Sequence, residues 1–380
     1  MLLVLNEDQN MLARTAREFV ASTEPLARIR KLRDKKDLLG FSEDVWQKIA
    51  ELGWTGMAFS EADGGLGLGL ADVVVVTEAL GRLLAPEPFI PCVVLAGSVL
   101  SLAANAEQKE KYLAPLIAGT SRVALAAEER KSRANPSHVT VRAERTPDGF
   151  RITGEKTPVL GGYRAGTLLV SARTSGGDAD AKGITLFVVP ADAKGVAVKP
   201  LERVDTRNAA QVRFDGVTVP ATSVVGSVDG ALQTLEAAVD RATVALAGEM
   251  LGTMSEAFDW TVKYLREREQ FGVKIGSFQA LQHRAARLFV EIELTRSAVM
   301  AAARAVDEGL PQARELVSVA KARASDALAL VANEAVQMHG GIGMTDEHDI
   351  GFFLKRAKVA ELTFGDAAFH RARFASIRGF

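Results

Sequence analysis

The chain has 380 residues, is 48% hydrophobic, and sets 46 basic against 47 acidic side chains for a net charge of −1. That length and apolar content can bury a large core divided over two or three subdomains, and so even a balance argues against a dominant nucleic-acid or membrane-surface role, which needs a concentrated basic field. Cys92, the single cysteine, excludes an intrachain disulfide, fits a reducing compartment, and reads as a small buried hydrophobe.

The opening MLLVLNEDQN has too short an apolar run for a secretory signal. The longest apolar stretch, residues 73–100, is interrupted by Glu78, Arg82 and three prolines, and so does not read as a membrane span. The expectation is a soluble cytoplasmic protein. Asn6 is placed to cap a helix running through Phe19, with Leu12, Ala16 and Phe19 on one face. Ser42 opens a second helix carrying Val45, Ile49 and Leu52, which stops at Gly53. FSEADGGLGLGLAD is a glycine-rich turn. Helical spacing returns over Leu70–Leu84 and ends at the prolines 86, 88 and 91; another helix follows from about Ala106 to Ile117.

Beyond Gly119 the period changes. VTVRAER, FRITG, TLLVSAR, ITLFVV, VAVKPL and AAQVRFDGVTV alternate apolar and polar residues or are β-branched runs, with turn signals between them. Six such strands predict a small antiparallel barrel or sandwich, and the lack of a βαβ rhythm argues against a dinucleotide-binding Rossmann domain. From Asp229 onward the spacing is helical again: Leu235, Val239, Leu246, Met250, Met254 and Phe258 form one apolar stripe, and residues 292–306 and 316–338 read likewise. The expected domains are 1–119 (helical), 120–228 (β) and 229–380 (helical bundle), an α+β multidomain protein.

No metal-ligand spacing joins the five histidines, and no GxSxG elbow or GxxxxGK[ST] loop occurs. Two segments are more specific. In YLREREQFGVKIGSFQALQHR, Arg268 and Phe271 are three apart on a helix face or its exit, Gly272 ends the helix, and Gln279 lies just past the loop. A guanidinium, an aromatic plane and an amide suit a pyrophosphate and an adenine; a charged helix end with a core phenylalanine would read the same way. In VQMHGGIGMTDEHDIGFFLKRAKVAELTFGD, Gly340, Gly341 and Gly343 let backbone amides approach a ligand, with Gln337 one turn earlier. A plain helix stop explains one of those glycines better than three.

Together REREQFG, the Phe278–Gln279 pair and QMHGGIG resemble the acyl-CoA dehydrogenase family, and the likeness extends over nearly the whole chain through FSEDVWQKIAELGWTGMAFSEADGGLGLG, TEALGRLLAPEP and YLAPLIAGTSRVALAAEE. The resemblance implies an N-terminal helical domain, a central β-barrel or sandwich and a C-terminal four-helix bundle, assembled as dimers or tetramers. It implies FAD as cofactor, an acyl-CoA substrate oxidised to its 2,3-enoyl form, and electron-transfer flavoprotein as electron acceptor. By the resemblance, Arg268, Phe271, Phe278 and Gln279 would contact FAD phosphates or adenosine, and Gln337, Gly340 and Gly341 the FAD of a partner subunit.

The sequence also departs from that family. Its proton-abstracting carboxylate belongs at one of two places, occupied here by Phe364 and Ala242, neither of which accepts a proton. Asp366, Glu361 and Asp240 are the nearby acids, Asp366 foremost as a displaced base. The family's Thr-Glu-Pro entry to the β domain reads AAEERKSRANPS, and GxKxWxT reads GEKTPVLGG, with Pro158 where an indole would flank the flavin ring and Leu160 where a hydroxyl would bond it; Lys156 and the Gly161–Gly162 turn remain. The pattern resembles the base-lacking small subunits of α2β2 acyl-CoA dehydrogenases of fatty-acid or sterol side-chain degradation, which pair with a Glu-bearing homologue; FGD with His370 resembles their ending. A homomeric enzyme with a displaced base, a flavin-free structural member and a flavin oxidase or monooxygenase are the alternative expectations.

Overall fold

A computed structural model describes residues 3–380. In chain order the first elements are α1 (Glu7–Ser22), α2 (Pro25–Asp34), α3 (Glu43–Glu51) and α4 (Leu70–Arg82). A wide-turned helix, Phe89–Ala96, runs into α5 (Gly97–Ala103); α6 (Ala106–Gln108) and α7 (Ala114–Ile117) flank a second wide turn. The strands are β1 (Val123–Ala126), β2 (Arg142–Thr146), β3 (Gly149–Leu160), β4 (Thr167–Arg173), β5 (Ile184–Pro190), β6 (Val196–Pro200), β7 (Ala209–Pro220) and β8 (Val224–Val225). Then come α8 (Leu232–Glu267), the hairpin β9 (Glu269–Gln270) and β10 (Val273–Lys274), α9 (Gln279–Asp307), α10 (Ala313–His339), α11 (Ile350–Leu362) and α12 (Ala367–Arg378). No helix of the described residues is long and apolar enough to cross a membrane.

The helix starts follow from capping chemistry. Asn6 accepts from the Gln9 amide at 2.8 Å while the Gln9 side chain returns to the Asn6 amide, a reciprocal capping box. Ser42 caps α3 through Val45. The first amides of α4 are met from a distant helix: Asp307 accepts from Leu70 at 2.6 Å and Ala71 at 3.0 Å. In the glycine-rich turn, Gly64 takes φ +83, whereas Gly65 is needed for closeness: a Cβ there would stand 2.2 Å from the Phe59 carbonyl oxygen.

The chain divides into two compact units, one of Met1–Arg28, Gly69–Ala85 and Thr243–Phe380, the other of Ile29–Leu68 and Pro86–Ala242. In the second, eight strands form one sheet in the order β6-β7-β3-β2-β4-β5-β8, with β1 beside β4. Of the expected antiparallel barrel or sandwich, the closed barrel is corrected to an open sheet, and the sheet is mixed: β1 and β2 both run parallel to β4, β1 along residues 167–170 and β2 meeting it at Arg173. β6 and β8, at the two ends of the order, are not paired with each other, so no ring closes. Val141, Phe150, Ile152, Val170, Phe187, Val212 and Phe214 fill its core. Fully buried Arg173 donates to the carbonyls of Ser137, Asp178, Asp180 and Lys182, pinning the 174–183 loop.

In the first unit α10 packs against α9, α11 and α12, and α1 and α9 pack on α4. Where α4 meets α8 the backbones nearly touch. A Cβ on Gly252 would lie 1.9 Å from the Glu78 carbonyl oxygen, and one on Gly81 would lie 2.0 Å from that of Glu249.

Candidate functional site

The REREQFG segment lies at a helix exit, but the helix ends earlier than Gly272, where spacing predicts its end. α8 ends at Glu267, and residues 268–274 turn back as the β9–β10 hairpin, closed by Phe271 (φ +55) and Gly272 (φ +78). Two successive left-handed residues suit the right-handed twist of a two-residue hairpin loop, which is why glycine follows the phenylalanine. Phe271 is consequently 90% exposed, with its ring edge-on to Phe278 at 6.2 Å. Phe278 precedes α9, Gln279 is its first residue, and Arg268 is exposed with no ion pair among the described residues. An exposed aromatic pair, a free guanidinium and an amide are together on one hairpin and the adjoining helix start.

The second segment begins at the end of α10. Gln337 is exposed, and Gly340 follows at φ +63, ψ −141, a conformation essentially reserved for glycine. A Cβ on Gly340 or Gly341 would meet nothing within 4 Å, so both peptides are open to an approaching group, whereas Gly343 is a packing glycine against Val336. His339 beneath them stacks on Tyr264 of α8 at 4.6 Å, and His348 lies 4.6 Å from His339 and edge-on to Trp260. The His339–Tyr264 stack ties the glycine turn to the last turns of α8, so the structure brings the two segments together. Burial holds the His339 imidazole below its ordinary range, although its Nδ1 donates to the Ala335 carbonyl.

Phe364 lies between α11 and α12, 8% exposed and with φ +58. A phenylalanine in the left-handed region is strained, and side chains hold it there. Lys321 of α10, with no exposed surface, donates to the carbonyls of Gly365 (2.8 Å) and Glu361 (2.9 Å) and to Ser325 (3.0 Å). Burial lowers its ammonium pKa to about 7. His370 Nε2 donates to the Phe364 carbonyl at 3.0 Å. Gly365 (φ +97) is obligatory, because a Cβ would strike the Phe369 ring at 2.4 Å. Asp366 caps α12, accepting from Phe369 at 2.8 Å, and Glu361 pairs with Lys358 at 3.0 Å. Ala242 is fully buried and Asp240 nearly so.

In the β unit Pro158 is exposed and sits in an irregularity of β3, where the pairing with β7 slips between Lys156 and Val159. Proline is tolerated there because a bulge needs no ladder donor. Leu160 is half-buried. Lys156 points inward and is fully buried, donating to Glu129 at 2.7 Å, Ser171 at 3.0 Å and the Ala127 carbonyl at 3.1 Å. Burial, only partly offset by Glu129, brings its pKa down to about 8; Glu129, which burial would raise, is held low by Lys156 and by hydrogen bonds from Thr140 and Val141. Lys156 therefore serves the fold. The group that the sequence reading missed is Glu128, whose carboxylate turns into the 132–134 turn; an acid beside an acid gave no signal of it. Cys92 is fully buried, its thiol pushed up to about 12 by burial, and packs under Gly161.

Residues 6–120, 124–217 and 229–377 match, respectively, the acyl-CoA dehydrogenase N-terminal, middle and C-terminal domains. Probable acyl-CoA dehydrogenase YngJ of Bacillus subtilis is 30% identical over 87% of this chain and 88% of its own. Among solved structures, a variant of the Tcur3481–Tcur3483 steroid ACAD superposes with a TM-score of 0.87 at 30% identity, covering 98% of both chains. The ChsE4–ChsE5 complex from Mycobacterium tuberculosis does so with 0.87 at 28% identity, covering 99% of this chain and 98% of that one. With the same three domains in the same order and relatives matched along almost their full length, the chain belongs to the acyl-CoA dehydrogenase family.

Proposed function

We propose that this chain is the base-lacking subunit of a heteromeric acyl-CoA dehydrogenase, working beside a homologous subunit that carries a catalytic glutamate. One observation carries the reading: Phe364, at the place the resemblance gives to the family's base, is apolar and buried, and Asp366 and Glu361 beside it are occupied as a helix cap and an ion pair. Ala242 at the alternative position has no proton acceptor either. Both heteromeric relatives, the Tcur3481–Tcur3483 steroid ACAD and the ChsE4–ChsE5 complex, support the assembly and suggest a bulky acyl-CoA thioester as substrate.

The residues of this chain fit half of an FAD. The exposed Phe271–Phe278 pair offers faces for an adenine, Arg268 a charge for the pyrophosphate, and Gln279, Gln337 and the open Gly340–Gly341 peptides offer hydrogen bonds. Pro158 and Leu160 offer none to a flavin ring. Bound FAD would take hydride from the acyl β carbon and hand the electrons to an electron-transfer flavoprotein. The part of this chain is to bind and orient the adenosine half, while the proton is taken by the partner's carboxylate.

Expression alone and together with a Glu-bearing homologue, followed by anaerobic addition of an acyl-CoA, tests this. The expected result is flavin bleaching by the co-expressed complex and none by this chain alone. Bleaching by the chain alone sinks the proposal, as does a pair that never acquires flavin colour.

A further inference from the structure

We propose that Glu128 closes this chain's β unit to a flavin ring: it lies across from Thr157, next to Pro158, where the resemblance would set the ring, and its carboxylate is bonded into the turn at Ser132–Ala134. The inference rests on the heteromeric reading above and assigns the residue responsible for the half of the cofactor that this chain does not serve.

Glu128 follows β1, and its carbonyl accepts from the Thr157 amide at 2.8 Å, which places it across from the residue preceding Pro158. Its carboxylate takes the Ala134 amide at 3.0 Å and the Ser132 hydroxyl at 3.4 Å. The turn is bent to do this: Arg133 and Ala134 are successive non-glycine residues at φ +47 and φ +64. Turns of this kind aim main-chain amides into a small concavity that takes an anion, and here the anion is the chain's own. Among the described residues no cation is bonded to it; all three protons of the Lys156 ammonium go to Ala127, Glu129 and Ser171. Burial accordingly holds the Glu128 carboxyl above its ordinary range, against the Ala134 amide, Ser132 and Lys156.

Two consequences follow for a ring laid against this segment. The carbonyl oxygens and N5 of a flavin accept hydrogen bonds, and a carboxylate has none to give. Covering a carboxylate that lacks an ion partner also strips its remaining water, which is unfavourable. Glu129, one residue on, escapes the second obstacle, because Lys156 and Thr140 already neutralise and saturate it.

Equilibrium dialysis of the full-length protein against FAD, without substrate, tests the assignment. Wild type alone is expected to retain little flavin. Glu128→Thr and Glu128→Gln, which remove the charge and supply a donor, are expected to bind FAD at least about tenfold more tightly, and Glu128→Asp to stay as weak as wild type. Should both neutral variants melt at the wild-type temperature and bind no better, Glu128 is not the obstacle, and the heteromeric reading stands without it. Should wild type alone hold about one FAD per chain, the heteromeric reading itself falls, and this inference with it.

Discussion

His370 has its tautomer fixed by its neighbour. The Phe364 carbonyl can only accept, so Nε2 carries the proton, and Nδ1 is buried with no partner among the described residues. Adding a second proton would place an unanswered charge inside the protein close to Lys321, and burial foremost, then Lys321, lowers the pKa from 6.5 to about 4. Between those values the unfolded chain binds more protons than the folded one, so stability falls as pH drops from about 6.5 and the loss is complete below about 4, a total of roughly 3 kcal/mol. Urea unfolding across that range should show the slope, and His370→Gln, whose amide still reaches the carbonyl, should flatten it. Lys156 offers a second measurement: Lys156→Met strands Glu129 in the core and should cost about 3–5 kcal/mol in urea unfolding, partly recovered in the Glu129→Gln double variant. The resemblance made residues 364, 365, 366 and 370 legible as a motif. Lys321 was not legible, because a lysine in AKARAS looks like any helix surface and nothing in its spacing reveals that the end of α11 lies over it. Glu128 stayed hidden for a related reason: its role depends on the backbone of a turn six residues later.

At the level of elements, long periodic helices and alternating strands were readable, and Asn6 and Ser42 cap where their chemistry predicts. The failures have local causes. The helix expected over Leu70–Leu84 does end before the prolines 86, 88 and 91, but the helical turn Phe89–Ala96 was missed; Pro91 is tolerated in its first turn, where its amide would have had no partner. α2 was missed because four of its ten residues are arginine or lysine, around only Leu26, Ile29 and Leu32. β1 was missed because VALA is uniformly apolar and buried, without alternation. The hairpin at 269–274 was missed because REREQ has high helix propensity, and the left-handed Phe271 that reverses the chain is not a residue expected there. The crossing of α4 and α8 gives the test at this scale. Gly252→Ala would ordinarily improve helix propensity by up to about 1 kcal/mol, but its Cβ would lie 1.9 Å from a carbonyl oxygen. The clash should win, and the thermal midpoint should fall by an amount corresponding to about 1–3 kcal/mol.

For the molecule as a whole, the apolar residues on the surface bear on the assembly proposed above. Phe289, Val290 and Leu294 are each at least half exposed along α9, and Val319 is exposed on α10. Half-exposed apolar side chains on a helix otherwise rich in charge fit the subunit contact that the proposed assembly requires. Leu294→Glu is expected to shift the sedimentation of the assembly towards a smaller species while leaving the circular dichroism of the chain unchanged. The glycine turn has a further use. Trp260 stands two rings beneath it, through His348 and His339, whereas Trp46 and Trp54 are buried in the other unit. Replacing those two by phenylalanine would leave a single indole emitter under Gly340, and a flavin nucleotide docking there would drain its luminescence by energy transfer, so that occupancy of the adenosine half could be followed in real time with no turnover at all.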